Sequence, residues 1–316
     1  MNEPSVAALS GSTPGAVLRR YFLATRPKFY PASVLPVITG TAWGAVIAGQ
    51  IDVTAAVIAL LATVAVHAAS NVFNDVGDDL NGTDRNNERR IHPFTGGSRF
   101  IQNGVLTLEQ MKRWALMLFG IGIILGMLLT LLKGIGVLYL GLAGIALGMF
   151  YSLPAVQLSG RGVGEIAIAV AFGVLPVCGA AWLQSGIFDT AIFLVSIPIS
   201  CWVAGILLIN EVPDRVADEQ AGKRTWPVRF GLNTTRWLYV SLHVIATAAA
   251  VILVLQQVFP WWTLLLPLAL FAGGWRAGSS IGAGDDPALE NGIKMTVAIH
   301  TVGALWLTAV ILVTKL

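Results

Sequence analysis

The sequence predicts an all-α polytopic membrane protein with about nine transmembrane helices. Of its 316 residues, 55% are hydrophobic and only 12% are charged, and the mean hydropathy is +0.74. These values lie outside the range of soluble domains. Apolar stretches long enough to span or nearly span hydrocarbon occupy residues 30–49, 53–73, 114–132, 134–152, 164–185, 189–209, 237–258, 260–280 and 293–314.

The chain begins with a short polar segment. Its first 18 residues are small and polar, Glu3 comes early, and no apolar run follows a basic start as it would in a signal peptide. We therefore expect residues 1–20 to form a cytoplasmic tail and residues 21–316 to form a single transmembrane domain.

Basic residues predict the orientation in the membrane. With a cytoplasmic N-terminus, nine helices place all 20 lysines and arginines except Lys133 and Lys315 on the cytoplasmic side. This predicts a protein of the cytoplasmic (inner) membrane whose N-terminus and long loops face the cytoplasm. No basic tract with interleaved aromatic residues is present, so no nucleic-acid partner is expected.

Two predicted cytoplasmic loops, residues 74–112 and 211–236, are long and rich in aspartate. At the start of each stands the pattern N-x-x-x-D-x-x-x-D, and its two copies are 139 residues apart at every position. The copies are Asn71, Asp75 and Asp79, and Asn210, Asp214 and Asp218. Residues four and eight apart share nearly one helical face, so each copy is predicted to project two carboxylates and an amide in one direction. The repeat indicates an internal duplication.

Clustered carboxylates repel one another unless a cation lies between them. Hard oxygen ligands suit Mg²⁺ that carries a phosphate-bearing substrate. A solvated acidic helix cap is the alternative for the first cluster, and the residue order of an EF-hand is missing. Because the motif recurs, the favoured interpretation is a shared metal–diphosphate site in a membrane-embedded enzyme.

Basic residues follow each acidic set, and together with metal-bridged carboxylates they would form a receptor for a diphosphate. They are Arg85, Arg89, Arg90, Arg99, Arg215, Lys223 and Arg224. Some of them are expected to set membrane topology only. Arg26 and Lys28 lie beside Pro27 and Pro31 at the entry to the first helix, and either face the site or anchor the interface.

The remaining polar and aromatic residues give weaker indications. Of the aromatic residues near the basic side, Tyr151 is the one that we predict to stabilise an allylic cation. His67, His243 and His300 are isolated on apolar helices, which favours packing or a local hydrogen bond. The two cysteines are expected to be buried and inert.

These motifs resemble those of the intramembrane UbiA-type aromatic prenyltransferases. The resemblance runs from about Arg26 to the last helices. Its carriers are Arg26-Pro27-Lys28, Asn74-Asp75-x-x-Asp78 with Gly82-Thr83-Asp84, Gly96-Gly97-Ser98, Tyr151-Ser152-x-Pro154, and the second Asp motif with Gly222-Lys223-Arg224-Thr225. The Gly-Gly-Ser and Gly-Lys-x-Thr elements favour the 1,4-dihydroxy-2-naphthoate polyprenyltransferase branch of menaquinone biosynthesis.

The resemblance implies a nine-helix bundle around a central cavity in the membrane. It implies Mg²⁺ as cofactor, and a polyprenyl diphosphate and an aromatic acceptor as substrates, with loss of CO₂ if the acceptor is the naphthoate. The implied metal ligands are Asp75, Asp78, Asp79, Asp214 and Asp218. Catalytic roles are implied for Asp75, Asp79, Asp214, Asp218 and Tyr151, diphosphate binding for Lys223, Arg224, Arg85, Arg99 and Arg26, and substrate binding for Asn71, Asn74 and Asn210.

Three alternatives remain at this stage. The first is a different aromatic acceptor such as 4-hydroxybenzoate, because residues 29–30 depart from the usual pattern of the naphthoate branch. The second is an ion-coupled transporter with two cation sites, although arginines beside the aspartates disfavour a cation path. The third, a CDP-alcohol phosphotransferase, is disfavoured because its D-G-x-x-A-R signature is absent.

Overall fold

A computed structural model describes residues 3–315, and every regular element in that range is a helix. The α-helices are α1 (Val6–Leu9), α2 (Pro14–Ala24), α3 (Pro31–Ala48), α4 (Val53–Leu80), α5 (Thr83–Asn86), α6 (Leu108–Lys133), α7 (Gly136–Ser152), α8 (Gly164–Ala169), α9 (Leu175–Ser185), α10 (Thr190–Gln220), α11 (Trp226–Leu255), α12 (Leu265–Gly278) and α13 (Asp286–Lys315). A π-helical turn, Val170–Val174, joins α8 to α9. The all-α prediction is therefore confirmed.

Within residues 3–315, seven helical segments are long and apolar enough to cross a membrane. They are Pro27–Ala48, Val53–Leu80, Leu108–Lys133, Gly164–Ser185, Thr190–Gln220, Trp226–Leu255 and Asp286–Thr314. Each of the nine predicted stretches contains a helix, but α7 has 17 residues and α12 has 14. The predicted count of nine crossings is therefore not confirmed by helix length.

The predicted boundaries of the two Asp-rich loops are wrong. Helix α4 continues to Leu80 and α10 continues to Gln220, so both Asp motifs lie on helices. Helix α10 also passes through Pro213 without ending. The helices outlast their apolar runs because the polar residues at these ends find charged or hydrogen-bonding partners within the fold.

Small residues bring the central helices close together. A Cβ atom on Gly40 or Gly44 of α3 would collide with the backbone carbonyls of Val177 and Ala181 on α9. Without a hydrophobic driving force inside a bilayer, close backbone approach at small residues is the main way that such helices associate. Helix α10 packs against α11, α13, α8 and α9 and is the most buried of the candidate spans.

The connection between α5 and α6, residues 87–107, folds back over the polar ends of α4 and α10. Its Phe100, Val105 and Leu106 join a buried apolar cluster with Val72 and Val76 of α4. The predicted N-terminal tail folds onto this connection, where the Glu3 carboxylate accepts a hydrogen bond from Arg90 Nε at 2.8 Å. The connection therefore fixes the polar ends of α4 and α10 relative to each other.

Candidate functional site

A cavity of about 530 Å³ lies between α4, α6, α7, α9 and α10 and changes from polar to apolar along its length. The polar end is lined by Arg26, Asn71, Asn74, Asp78, Asp84, Tyr151, Asn210, Glu211, Asp214, Asp218 and Lys223. The apolar part is lined by residues such as Val66, Ile123, Met127, Leu138, Ile145 and Leu175. The arrangement suits a ligand with a charged head and a long hydrocarbon tail.

On α4 the cavity face carries Asn71, Asn74 and Asp78. Asp75 and Asp79 do not line the cavity, so the prediction that Asn71, Asp75 and Asp79 project together into one site is wrong. The spacing of the motif defines one side of α4, but the packing of this helix turns a different side, which carries Asn74 and Asp78, toward the cavity. Asp75 is instead bound to Arg26, which lines the cavity, and Asp79 to Arg85, which does not.

Asp75 is only 2% exposed and forms an ion pair with Arg26. Both of its carboxylate oxygens accept a hydrogen bond from the Ser98 backbone N–H at 3.3 Å. Asp75 therefore holds Arg26, which itself lines the cavity, and also fastens the Gly-Gly-Ser turn to α4.

Asp79 is equally buried and is bound by Arg85 in a two-point contact. Arg85 Nε and Nη2 each lie 2.9 Å from one of the two carboxylate oxygens of Asp79. Gln102 Nε2 donates a third hydrogen bond at 3.2 Å. This set of bonds ties the connection between α5 and α6 to the end of α4.

On α10, by contrast, Asn210, Asp214 and Asp218 all line the cavity. Asp214 accepts hydrogen bonds from Asn87 Nδ2 at 2.6 Å and from the Gly96 backbone N–H at 3.2 Å. The connection between α5 and α6 thus contacts the second motif, on α10. Residues of α4 and α10 therefore line the same end of the cavity, but of the first copy only Asn71 does so.

Lys223 lies between an aspartate of α4 and an aspartate of α10. Its Nζ is 2.6 Å from Asp78 Oδ1 and 3.4 Å from Asp218 Oδ1, and its side chain is 6% exposed. Although burial alone would lower the pKa of Lys223, the Asp78 and Asp218 carboxylates raise it above its usual value. Lys223 is therefore a fixed positive charge that bridges Asp78 of α4 and Asp218 of α10.

Asp84, on the short helix α5, is a cavity carboxylate to which the sequence analysis assigned no role. It is 3% exposed, and its Oδ2 lacks a hydrogen-bond partner. Burial, and then repulsion by Asp78, raise the pKa of Asp84 to about 7. Gly97 has a positive φ of 75°, and a Cβ there would collide with the Asp84 carboxylate, so glycine is required at this turn.

The predicted diphosphate-binding cations occupy two kinds of position. Arg26 and Lys223 line the cavity. Arg99 is buried behind it and donates a hydrogen bond to the Asp84 backbone carbonyl, while Arg85 is bound to Asp79. Arg224 is exposed, and its backbone N–H donates to the Gly160 carbonyl at 2.8 Å. Two of the five cations are thus placed to meet a ligand in this conformation.

Tyr151 lines the cavity next to two buried glutamates that the sequence analysis passed over. Glu211 follows Asn210 and also lines the cavity. Glu165, on α8, accepts a hydrogen bond from the Trp226 backbone N–H at 3.0 Å and so fixes the start of α11. Neither glutamate belongs to a repeated motif, which is why pattern reasoning gave no signal for them.

The donor set at the polar end fits Mg²⁺ together with a phosphate-bearing ligand. The cavity collects carboxylates from α4, α5 and α10, and the buried Asn210 Oδ1 and Asp84 Oδ2 lack hydrogen-bond partners. Within residues 3–315, however, no three acidic, histidine or cysteine side chains converge closely enough to hold an ion alone. Magnesium sites of this kind use one or two carboxylates, with phosphate oxygens and water as further ligands.

Comparison with known proteins places these features in a family. The sequence pattern described as the UbiA prenyltransferase family matches residues 34–289. Curated relatives include the 1,4-dihydroxy-2-naphthoate octaprenyltransferase of Escherichia coli, 31% identical over 67% of this chain and 69% of that protein. The enzyme of the same name from Mycobacterium tuberculosis is 28% identical over 92% of this chain and 98% of that protein.

Solved structures share the fold. A UbiA homologue from Archaeoglobus fulgidus, bound to GPP and Mg²⁺, aligns with a TM-score of 0.66 and 17% identity over 92% of this chain and 100% of that chain. The apo structure of a homologue from Aeropyrum pernix K1 aligns with a TM-score of 0.64 over 90% of this chain and 98% of that chain. Since the family pattern covers most of the chain and its curated relatives are prenyltransferases, this protein is an integral membrane enzyme that belongs to the UbiA prenyltransferase family.

Proposed function

We propose that the enzyme transfers a polyprenyl group from prenyl diphosphate to 1,4-dihydroxy-2-naphthoate, with loss of CO₂. One observation carries the proposal. Lys223 is paired with Asp78 of α4 and Asp218 of α10 at the polar end of a cavity whose remainder is apolar. The diphosphate would occupy the charged end and the prenyl tail the apolar part. The names of the curated relatives support the naphthoate as acceptor.

Asp78, Asp214 and Asp218, with Asp84, are the residues that would hold Mg²⁺. When bound, the ion would neutralise the diphosphate and make it a better leaving group. Asp75 and Asp79 remain predicted ligands, but each would first have to exchange its present arginine partner. We therefore propose that Asp75 holds Arg26 in place and that Asp79 holds the connection between α5 and α6.

The chain's own residues would do the rest of the work. Lys223 and Arg26 contact diphosphate oxygens with fixed positive charge, which stabilises the charge that develops on the leaving group. Asn71, Asn74 and Asn210 orient the substrates by hydrogen bonds. Tyr151 presents its ring to the allylic cation, and the apolar lining keeps out the water that would quench the cation.

We further propose nine membrane crossings, with α7 and α12 as the short ones, in a single prenyltransferase domain of residues 21–316. The N-terminal tail and the polar ends of α4 and α10 would face the cytoplasm, in the cytoplasmic (inner) membrane. The distribution of lysine and arginine supports this orientation.

The test is a detergent or membrane assay with Mg²⁺ and a labelled polyprenyl diphosphate. It offers 1,4-dihydroxy-2-naphthoate and 4-hydroxybenzoate in parallel, each with and without EDTA. We expect a prenylated naphthoate, release of CO₂ and no product in EDTA. Product with hydroxybenzoate alone would overturn the acceptor, and product in EDTA would overturn the metal requirement. No product with either acceptor would overturn both acceptors; other aromatic acceptors are then assayed first, and an ion-flux measurement in liposomes tests the transporter alternative after them.

A further inference from the structure

His67 lies on α4 one helical turn before Asn71, where the polar end of the cavity passes into the apolar part. Its side chain is only 5% exposed, yet it contributes to the cavity wall. From its position on an apolar helix, this histidine is expected to serve packing or a local hydrogen bond. Its bonding pattern indicates more than that.

Ser33 is the hydrogen-bond partner of His67 Nδ1. Ser33 Oγ lies 3.1 Å from the Tyr30 backbone carbonyl oxygen and 2.9 Å from His67 Nδ1. A serine hydroxyl has one proton, so it donates to one of these two acceptors at a time. When it donates to the carbonyl, Nδ1 donates its own hydrogen to Ser33 Oγ and Nε2 keeps a free lone pair, and this is the tautomer that can accept a proton from a ligand in the cavity.

The orientation of the imidazole ring is fixed as well. Tyr30 packs against it with ring centroids 5.6 Å apart, and Phe172, from the π-helical turn, packs against it at 4.7 Å. The Tyr30 hydroxyl is itself held 2.5 Å from Thr25 Oγ1. With Nδ1 bonded to Ser33 and two aromatic rings against the faces and edges, the Nε2 side of His67 is the side left to line the cavity.

The other two membrane histidines provide the contrast. In both His243 and His300, Nε2 is fully buried and has no hydrogen-bond partner. This is the pattern expected of a histidine that serves only packing. Neither of these residues lines the cavity. Among the histidines on candidate membrane spans, His67 combines a hydrogen-bonded Nδ1 with access to the cavity.

The depth of His67 matches the position of the reaction. In the proposed function the diphosphate occupies the charged end and the tail the apolar part, so the bond that breaks lies at the boundary between them. The acceptor ring has to reach the same boundary. His67 is about 6 Å along the helix axis from Asn71, on the apolar side.

We infer that Nε2 of His67 binds the ring hydroxyl of the aromatic acceptor and takes its proton as the ring attacks the prenyl carbon. This inference rests on the proposed function, because it requires a hydroxylated aromatic acceptor. It assigns His67 as a catalytic base and Ser33 as the residue that positions it. General bases of this kind typically contribute about 10²- to 10⁴-fold to the rate.

The proton balance closes within the site. The O–H bond of the acceptor breaks, its proton moves to Nε2, and its electron pair moves into the ring. The ring carbon bonds to the allylic carbon, while the C–O bond of the prenyl diphosphate breaks and its electron pair leaves with the diphosphate. The attacked carbon then loses CO₂, whose bonding electron pair makes the ring aromatic again, and the ring oxygen regains the proton from His67.

The test uses the full-length enzyme in detergent with Mg²⁺, geranyl diphosphate and 1,4-dihydroxy-2-naphthoate. We expect His67→Phe, which keeps a flat ring, to lose about 100-fold or more in kcat. His67→Gln keeps a hydrogen-bonding group without a base and is expected to lose nearly as much kcat while its KM for the acceptor changes less. Ser33→Ala should lose roughly three- to tenfold, the size of one hydrogen bond.

Two controls separate this role from a structural one. In all three variants, geranyl diphosphate with Mg²⁺ should raise the thermal unfolding temperature as it does in the wild type. His300→Gln, a change at a buried histidine outside the cavity, should keep wild-type kcat. The loss in His67→Phe should also shrink with fluorinated naphthoates, whose hydroxyl groups ionise more readily, because an ionised acceptor does not need the base.

The possible outcomes separate the proposed function from the role of His67. A wild-type enzyme that prenylates no hydroxylated aromatic acceptor would remove the proposed function, and the inference with it. A wild-type enzyme that is active, with His67→Phe within about threefold of it, would overturn the inference alone. A loss in His67→Phe that is independent of acceptor acidity would likewise reject the base and leave His67 with a packing role.

Discussion

The two copies of N-x-x-x-D-x-x-x-D are identical in spacing but differ in what they face. On α10 all three motif residues line the cavity, whereas on α4 only Asn71 does. The aspartates of the α4 copy, Asp75 and Asp79, are bound to Arg26 and Arg85. A repeated sequence motif has therefore become two different structures, one that faces the ligand and one that holds the surrounding connection.

Helix geometry explains the difference. At about 100° per residue, Asp79 is turned about 80° from Asn71 to one side, while Asp78 lies about 20° to the other side. The cavity wall on α4 uses the side that carries Asn74 and Asp78. Helix α10 is more deeply embedded and presents a wider arc, which includes Asp214 and Asp218 as well as Glu211.

The largest effect is expected at the α10 copy. Asp214→Asn and Asp218→Asn should each reduce kcat/KM by about 10³-fold or more, because each removes a charge that faces the diphosphate and its metal. Asp79→Asn should reduce it far less. Steady-state assays, with gel filtration in detergent to verify folding, compare the variants. Equal losses at Asp79 and Asp218 would mean that the two copies are functionally symmetric.

A second large effect is expected at Lys223, which pairs with Asp78 of α4 and Asp218 of α10. Lys223→Met leaves Asp78 and Asp218 without their shared cation in a buried site, so we expect the substrate-free protein to lose about 3 kcal/mol of stability. Activity should fall about 100-fold, since one fixed charge on the leaving group is lost. Thermal unfolding with and without Mg²⁺ measures the first effect. Mg²⁺ should restore part of the stability, and a failure to do so would argue against a cation site there.

Much of the fold followed from the sequence because apolar run length and the distribution of lysine and arginine are local properties. The helix ends did not follow, since α4 extends past residue 73 to a region where Asp75 and Asp79 find partners outside the helix. The same limit applies to the site. Lys223 and Arg224 are adjacent in sequence, but only Lys223 lines the cavity.

Asp84 offers a smaller effect with a definite pH dependence. Its pKa is about 7 in the folded protein against an ordinary value of 3.8, so ionised Asp84 destabilises the folded state. That destabilisation is absent below about pH 4, grows as the pH rises toward 7 and is complete above it. Asp84→Asn should therefore raise the unfolding temperature of the substrate-free protein at pH 8, and raise it much less at pH 5.

Activity separates this stability effect from the function of Asp84. We expect Asp84→Asn to be more stable than the wild type at pH 8 and yet less active, because a buried, unpaired carboxylate is retained at the cost of stability when it serves a ligand. The stabilisation of the wild type by Mg²⁺ should be weakened in this variant. An Asp84→Asn enzyme that is both more stable and fully active would assign Asp84 no part in the site.

The smallest effect is expected at Arg85, which separates holding the connection from binding the ligand. Its side chain is 64% exposed and points to Asp79 at the side of α4 that faces away from the cavity. Arg85→Ala should leave the KM for prenyl diphosphate within about threefold of the wild type, but lower the unfolding temperature by more than an exposed pair would, because it leaves the buried Asp79 carboxylate without its cation. Arg113→Ala, which breaks the exposed pair with Glu109, is the matched control. A KM raised tenfold or more by Arg85→Ala, with no change for the control, would restore Arg85 to the diphosphate site and require the connection to rearrange when substrate binds.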